Sequence, residues 1–188
     1  MIRSSKAIKE ILISEQEIKI KVKELGERLT LDYKGKDPVF ISILKGSIVF
    51  LADLIRSIDL FCSVDFIAVS SYAGETETSG IVKLIMDLRE SINDRHVVLV
   101  EDIVDTGLTM NYLKENLLTR RPASFRICSF LSKPHNRYKD IDVDYVGFEI
   151  PNKFVVGYGM DYKERFRNLP YIAVVDPEII KKELQEEV

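Results

Sequence analysis

The chain is short of cysteine. Cys62 and Cys128 are the only two in 188 residues, and no paired spacing joins them. That excludes a disulfide framework or a cysteine metal knuckle, and both thiols are expected to be buried as small hydrophobes. Positive charge is not in excess either. Lys and Arg number 27 against 30 Asp and Glu, for a net charge of −3, and the doublet Arg120-Arg121 is too short to form a patch. Binding a phosphate backbone needs clustered cations, so a nucleic-acid partner is not expected. No stretch has membrane-spanning length, and MIRSSKAIKE at the start carries no long apolar segment. Both features point to a cytoplasmic protein without a membrane partner. Internal repeats, low-complexity tracts and linkers are missing as well.

What is present suits one globular domain over residues 1–188, with 46% apolar and 30% charged residues. Ser14 and Glu17 fit a capping box, and Ile18, Val22, Leu25 and Leu29 share a helical face, so a helix is expected from Ser14. PVFISIL from Pro38 reads as a buried strand and IVFLADLIRSI from Ile48 as a helix. CSVDFIAVSSY from Cys62 reads as a strand, AGETETSG (73–80) as a mobile loop and GIVKLIMDL from Gly80 as a returning strand. VVLV (97–100), a helix over 110–118 and the strand ASFRICSFLS from Ala123 follow. DYVGFEI, FVVGYG and YIAVVD read as short strands, and PEIIKKELQEEV as a closing helix with Pro177 in its first turn. Strands alternating with helices predict an α/β fold with a mainly parallel central sheet flanked by helices. Ligands of such sheets sit beyond the carboxyl ends of the strands.

VVLVEDIVDTGLTM (97–110) lies at such a place. Adjacent strand residues face opposite ways, so Glu101 and Asp102 can meet one ligand only if the strand ends or twists there. Two acids at a strand end can hold the diol of a ribose or the waters of a Mg²⁺. Asp105, Thr106, Gly107, Leu108 and Thr109 then lead into a helix, whose first N–H groups make a phosphate site. The whole stretch suits a phosphorylated sugar.

This stretch resembles the 5-phosphoribosyl-1-pyrophosphate motif of type I phosphoribosyltransferases. Four further segments narrow the resemblance to the 6-oxopurine branch, the hypoxanthine-guanine phosphoribosyltransferases. ISILKGS (41–47) is similar to that family's pyrophosphate loop and SSY (70–72) to the start of its mobile catalytic loop. FLSKP (130–134) carries its purine-contacting lysine, and VGFEIPNKFVVGYGMDYKERFRNLPYI (146–172) looks like its base-binding hood. The resemblance runs from about Pro38 to Asp176. It implies the type I fold, with a core over about 38–145 and a small hood from about 146–188 together with the N-terminal residues.

The resemblance also implies roles. Glu101 and Asp102 would face the ribose hydroxyls and, with Asp161, a Mg²⁺. Asp105 would face N7 of the base as the catalytic group, and Asp105 to Thr109 would cradle the 5′-phosphate. Leu44, Lys45 and Gly46 would meet the departing pyrophosphate, with a non-proline cis peptide in that loop, and Arg167 would clamp it with forked donors. Lys133 would donate to the 6-oxo group, since an ammonium offers donors only. Phe154 would stack on the purine and Val155 would contact it through its main chain, with Asp161 near the base edge. Ser71 and Tyr72 would open the mobile loop. By residue type alone Lys45 reads as a surface lysine, Phe154 as a core ring and Arg167 as a rim ion pair. The implied reaction is purine salvage: hypoxanthine or guanine plus the ribosyl donor gives IMP or GMP and pyrophosphate, in a homodimer or homotetramer. The alternative is a nucleic-acid-binding regulator on the same scaffold that only senses the donor.

Overall fold

The computed structural model describes residues 6–73, 78–138, 141–176 and 178–179, with backbone alone at 71–73 and 78–81. Six strands form the main sheet in the order β4-β3-β2-β5-β6-β7. They are β2 (Val39–Leu44), β3 (Ser63–Ala73), β4 (Thr78–Met86), β5 (His96–Val104), β6 (Ser124–Ser132) and β7 (Tyr145–Glu149). Every neighbouring pair is parallel except β3–β4. A second, three-stranded antiparallel sheet joins β1 (Ile8–Ile13), β9 (Ile172–Val175) and β8 (Val155–Val156). It brings the Ile8–Ile13 segment against Ile172–Val175, far along the chain. This is the expected mainly parallel α/β fold with a small accessory layer.

Helix α1 (Glu15–Asp32) starts at the expected capping box. Ser14 Oγ accepts from the Glu17 N–H, and the Glu17 side chain accepts from the Ser14 N–H. Its buried face is Ile18, Val22, Leu25 and Leu29. With α2 (Ile48–Arg56) it covers one side of the sheet over Phe40, Val98 and Val100. Helix α3 (Leu108–Leu118) covers the other, over Ile41, Val97 and Leu99. The VVLV run is therefore apolar throughout because successive side chains enter two different cores.

Three expectations need correction. β5 does not stop at Val100 but continues through both acids to Val104, because β6 keeps pairing with it as far as Val104↔Ser132. α3 begins at Leu108, two residues before the expected start. Of the expected loop 73–80, residues 78–80 belong to β4, where Thr78 pairs with Ala73 in an antiparallel ladder. Residues 74–77 of that loop lie outside the described residues, as does most of the closing helix beyond Ile179. β1 was not anticipated at all.

Candidate active site

The site lies past the carboxyl ends of β2, β5 and β6, as open parallel sheets lead one to expect. β5 reaches it with an irregular alternation. Val98 and Val100 belong to the α1–α2 core and Val97 and Leu99 to the α3 core, yet Ile103 joins the first and Val104 the second. Regular alternation would put Val104 with Val100. The ladder with β6 nonetheless keeps one register from His96↔Ser124 to Val104↔Ser132, so both acids stay within the strand.

Asp102 lines a cleft of ≈ 200 Å³ with Ile103, Asp105, Lys133, Phe154, Val155, Met160 and Asp161. Burial pushes its carboxyl up to about 6, with Asp161 adding to the rise and the Ile103 N–H and Arg167 opposing it. Burial and then the Asp102 charge push Glu101 well above the carboxylate range. Glu101 Oε2 is buried without a hydrogen-bond partner. A carboxylate pair so placed calls for a cation or for hydroxyl donors.

Asp105 follows β5. Its Oδ2 accepts from Lys133 Nζ at 2.8 Å, and its Oδ1 accepts from Asn136 Nδ2. Lys133, at the end of β6, is only 6% exposed. Its N–H donates to Val104 O at 2.9 Å, so the two strand ends are tied together. The Pro134–Asn136 turn continues this clamp, and the Tyr138 N–H donates to Thr106 O at 3.0 Å. Gly107, with φ 80°, opens α3, and no side chain caps that helix. Its first N–H groups are thus left for a ligand.

The β2–α2 loop holds the Leu44–Lys45 cis peptide. Ser47 Oγ donates to Ile43 O and contacts Ser42 Oγ, both at 2.6 Å, which fixes the loop's exit. A Cβ on Gly46 would lie 1.9 Å from Asp102 Oδ2, and one on Gly159 would lie 2.0 Å from Gly46 O. Only glycines let the acid, the loop and the 157–160 segment stack so closely. Arg167 Nη1 donates to Gly159 O at 2.8 Å, and Nη2 pairs with Asp161 at 2.9 Å and Glu164 at 3.3 Å. Glu164 also meets Lys45 Nζ at 3.2 Å. Lys45, then Arg167, hold the Glu164 carboxyl below its usual range.

Of the residues singled out from sequence, Asp102, Asp105, Lys133, Phe154, Val155 and Asp161 line that cleft, whereas Glu101, Lys45, Gly46, Thr106 to Thr109 and Arg167 are not among its lining residues. Phe154 is not a core ring: it is 45% exposed at the cleft, edge-on to Tyr162 with centroids 5.7 Å apart. Val155 is buried in β8, paired with Val174. Ser71 and Tyr72 lie in the last residues of β3, before Ala73, and their side chains are outside the described residues. Asn136, Glu164, Ile103 and Met160 went unremarked in the sequence. Asn136 stands three residues after Lys133, the one local signal that could have drawn notice.

Comparison with known proteins agrees with this geometry. The profile of the phosphoribosyl transferase domain matches residues 8–163. The hypoxanthine-guanine phosphoribosyltransferase of Lactococcus lactis is 52% identical over 94% of this chain and 96% of its own length. That of Bacillus subtilis is 51% identical over 92% of this chain and 96% of its own. The crystal structure of a hypoxanthine phosphoribosyltransferase from Staphylococcus aureus superposes with a TM-score of 0.88 at 48% identity, covering 92% of this chain and 94% of the other. The chain belongs to the phosphoribosyltransferase family, in its hypoxanthine-guanine branch.

Proposed function

We infer that this chain is a purine-salvage transferase: it moves the 5-phosphoribosyl group of 5-phosphoribosyl-1-pyrophosphate to N9 of hypoxanthine or guanine. IMP or GMP and pyrophosphate are the products. The observation that carries the reading is the meeting in one cleft of Asp105, Lys133 and Phe154, which come from three separate segments. No described feature supports the nucleic-acid-sensing alternative.

In this reading Phe154 stacks on the base, Val155 meets it through main-chain groups and Lys133 donates to its 6-oxo oxygen. Adenine offers an amine there, which an ammonium cannot serve. Asp105 faces N7 and takes up proton or charge as N9 attacks C1′. The N–H groups and hydroxyls of Thr106 to Thr109 cradle the 5′-phosphate. Lys45, Gly46 and Arg167 receive the pyrophosphate. Ser71 and Tyr72 begin the loop that shields the reacting centre from water.

The donor set fits a Mg²⁺. A buried, unpartnered Glu101 oxygen and two carboxyls raised by burial favour a divalent cation. Among the described residues no group of three or more His, Cys, Asp or Glu forms a ready cage. Mg²⁺ commonly takes one or two carboxylates and fills the rest of its shell with waters and substrate phosphates. Glu101, Asp102 and Asp161 are the residues that would hold it, and it would supply charge neutralisation of the pyrophosphate. Core and hood act as one domain, with the small sheet carrying the base-binding side. The two free thiols suit the reducing cytoplasm. A homodimer or homotetramer completes the reading.

The test is a panel of hypoxanthine, guanine, xanthine and adenine with the ribosyl donor and Mg²⁺. Nucleotide and pyrophosphate should form one for one with the 6-oxopurines. Equal turnover of adenine would contradict the role of Lys133.

A further inference from the structure

Lys45 and Arg167, which the reading above gives to pyrophosphate, reach the site from distant segments, yet one carboxylate joins them. Glu164 Oε2 lies 3.2 Å from Lys45 Nζ, and Oε1 lies 3.3 Å from Arg167 Nη2. We propose that Glu164 is a built-in competitor of the pyrophosphate group, holding the two cations that the donor must take over.

The backbone carries this independently of the ion pairs. Tyr162 and Arg165 exchange both N–H···O bonds at 3.1 Å, closing a tight turn with Lys163 and Glu164 at its tip. Both tip residues are left-handed, with φ 49° and 64°. Turns of that kind ordinarily use Asn and Gly, because side chains with a Cβ resist positive φ. A glutamate in such a place is an outlier that invites a functional reading. The turn is further fixed by the Glu164 N–H, which donates to Asp161 Oδ2 at 2.8 Å. The chain thus accepts an unfavourable residue where its charge meets the pyrophosphate cations.

The consequence is directional. A pyrophosphate bears more charge than a carboxylate and displaces Glu164, but the exchange weakens donor binding and eases pyrophosphate departure. Glu164→Gln keeps the shape and removes the charge. Binding of donor and of free pyrophosphate should tighten, by about 3- to 10-fold at low salt, the worth of two ion pairs whose shared acid is exposed. The gain should shrink as salt approaches the range where exposed charges are screened. Ribose 5-phosphate, which lacks the pyrophosphate, should bind as before.

The experiment is calorimetric titration of the three ligands, with Mg²⁺, into the parent, Glu164→Gln, Glu164→Asn and Lys45→Ala. The Asn variant, at home in a left-handed turn, guards against a folding defect in the Gln variant. Unchanged or weaker pyrophosphate binding in both Glu164 variants overturns the proposal. The proposal rests on the pyrophosphate reading of Lys45, which the Lys45→Ala arm tests separately. There donor affinity should fall, and an unchanged value counts against that reading itself.

Discussion

Gly46→Ala puts the packing of the site to a direct test. Gly46 is not among the positive-φ residues, so its backbone accepts alanine. The difficulty is steric alone. The new Cβ would lie 1.9 Å from Asp102 Oδ2, 2.8 Å from its Cγ and 3.3 Å from Oδ1. Asp102 cannot yield freely, since its Oδ1 accepts from the Ile103 N–H at 2.9 Å. The loop has little room to shift, because Gly159 also packs closely against Gly46 O. Overpacking of this kind costs roughly 1–3 kcal/mol. For a domain of this size that is a fall in Tm of about 2–12 °C. The KM for the ribosyl donor should rise with it. Gly35→Ala is the control: its φ is +73° with nothing within 4 Å of the added Cβ, so it should lose stability without touching KM. In an Asp102→Ala background the clash partner is gone, and the stability loss from Gly46→Ala should largely vanish. Thermal unfolding of the four proteins of that cycle, with donor KM for those that turn over, decides the matter. Parental Tm and KM in Gly46→Ala, or strict additivity with Asp102→Ala, would refute the argument.

Three further outcomes follow from the same geometry. Lys133→Ala should lower kcat/KM for 6-oxopurines by roughly 10- to 100-fold, the worth of a hydrogen bond from a charged group, while donor affinity changes little. Equal losses for both substrates, read by steady-state kinetics and donor titration, would remove Lys133 from the base pocket. Phe154→Ala should raise the KM for the base by an energy of roughly 1–3 kcal/mol with little change in Tm, since the ring is already 45% exposed. An unchanged KM with lowered Tm would make it a packing residue. Excess EDTA should abolish turnover and added Mg²⁺ or Mn²⁺ restore it, whereas full activity in EDTA would sink the divalent-cation requirement.

The elements legible from sequence were those whose signal is local. The capping box of α1, its i, i+3/i+4 stripe and the buried runs of β2 and β5 depend on neighbours in the chain. β1 did not announce itself because half of Ile8–Ile13 is exposed and the segment owes its strand form to β9, far along the chain. The extent of β5 was underread for the same reason: Glu101 and Asp102 look like a strand end, but β6 holds them in the ladder. The cleft was legible where a motif concentrates its lining residues, at Asp102 and Asp105 and at Lys133. Asn136 and Glu164 were not, because a loop amide and a loop acid acquire meaning only through partners brought close by the fold. The pairing of Asp105 with Lys133 belongs to this class too, being set by the tie between two strand ends.

That pairing bears on the central claim, that Asp105 serves the chemistry and not merely the turn. Asp105→Asn retains the size of the side chain and an oxygen for Lys133 or Asn136, but it removes the charge and the capacity to take a proton. Single-turnover kinetics with saturating donor and hypoxanthine read the chemical step, and equilibrium binding of the donor reads the phosphate cradle. The chemical step should slow by roughly 10²- to 10⁴-fold, as loss of a general acid–base group does, with donor affinity nearly unchanged. A chemical step near the parent's rate in Asp105→Asn would contradict the account.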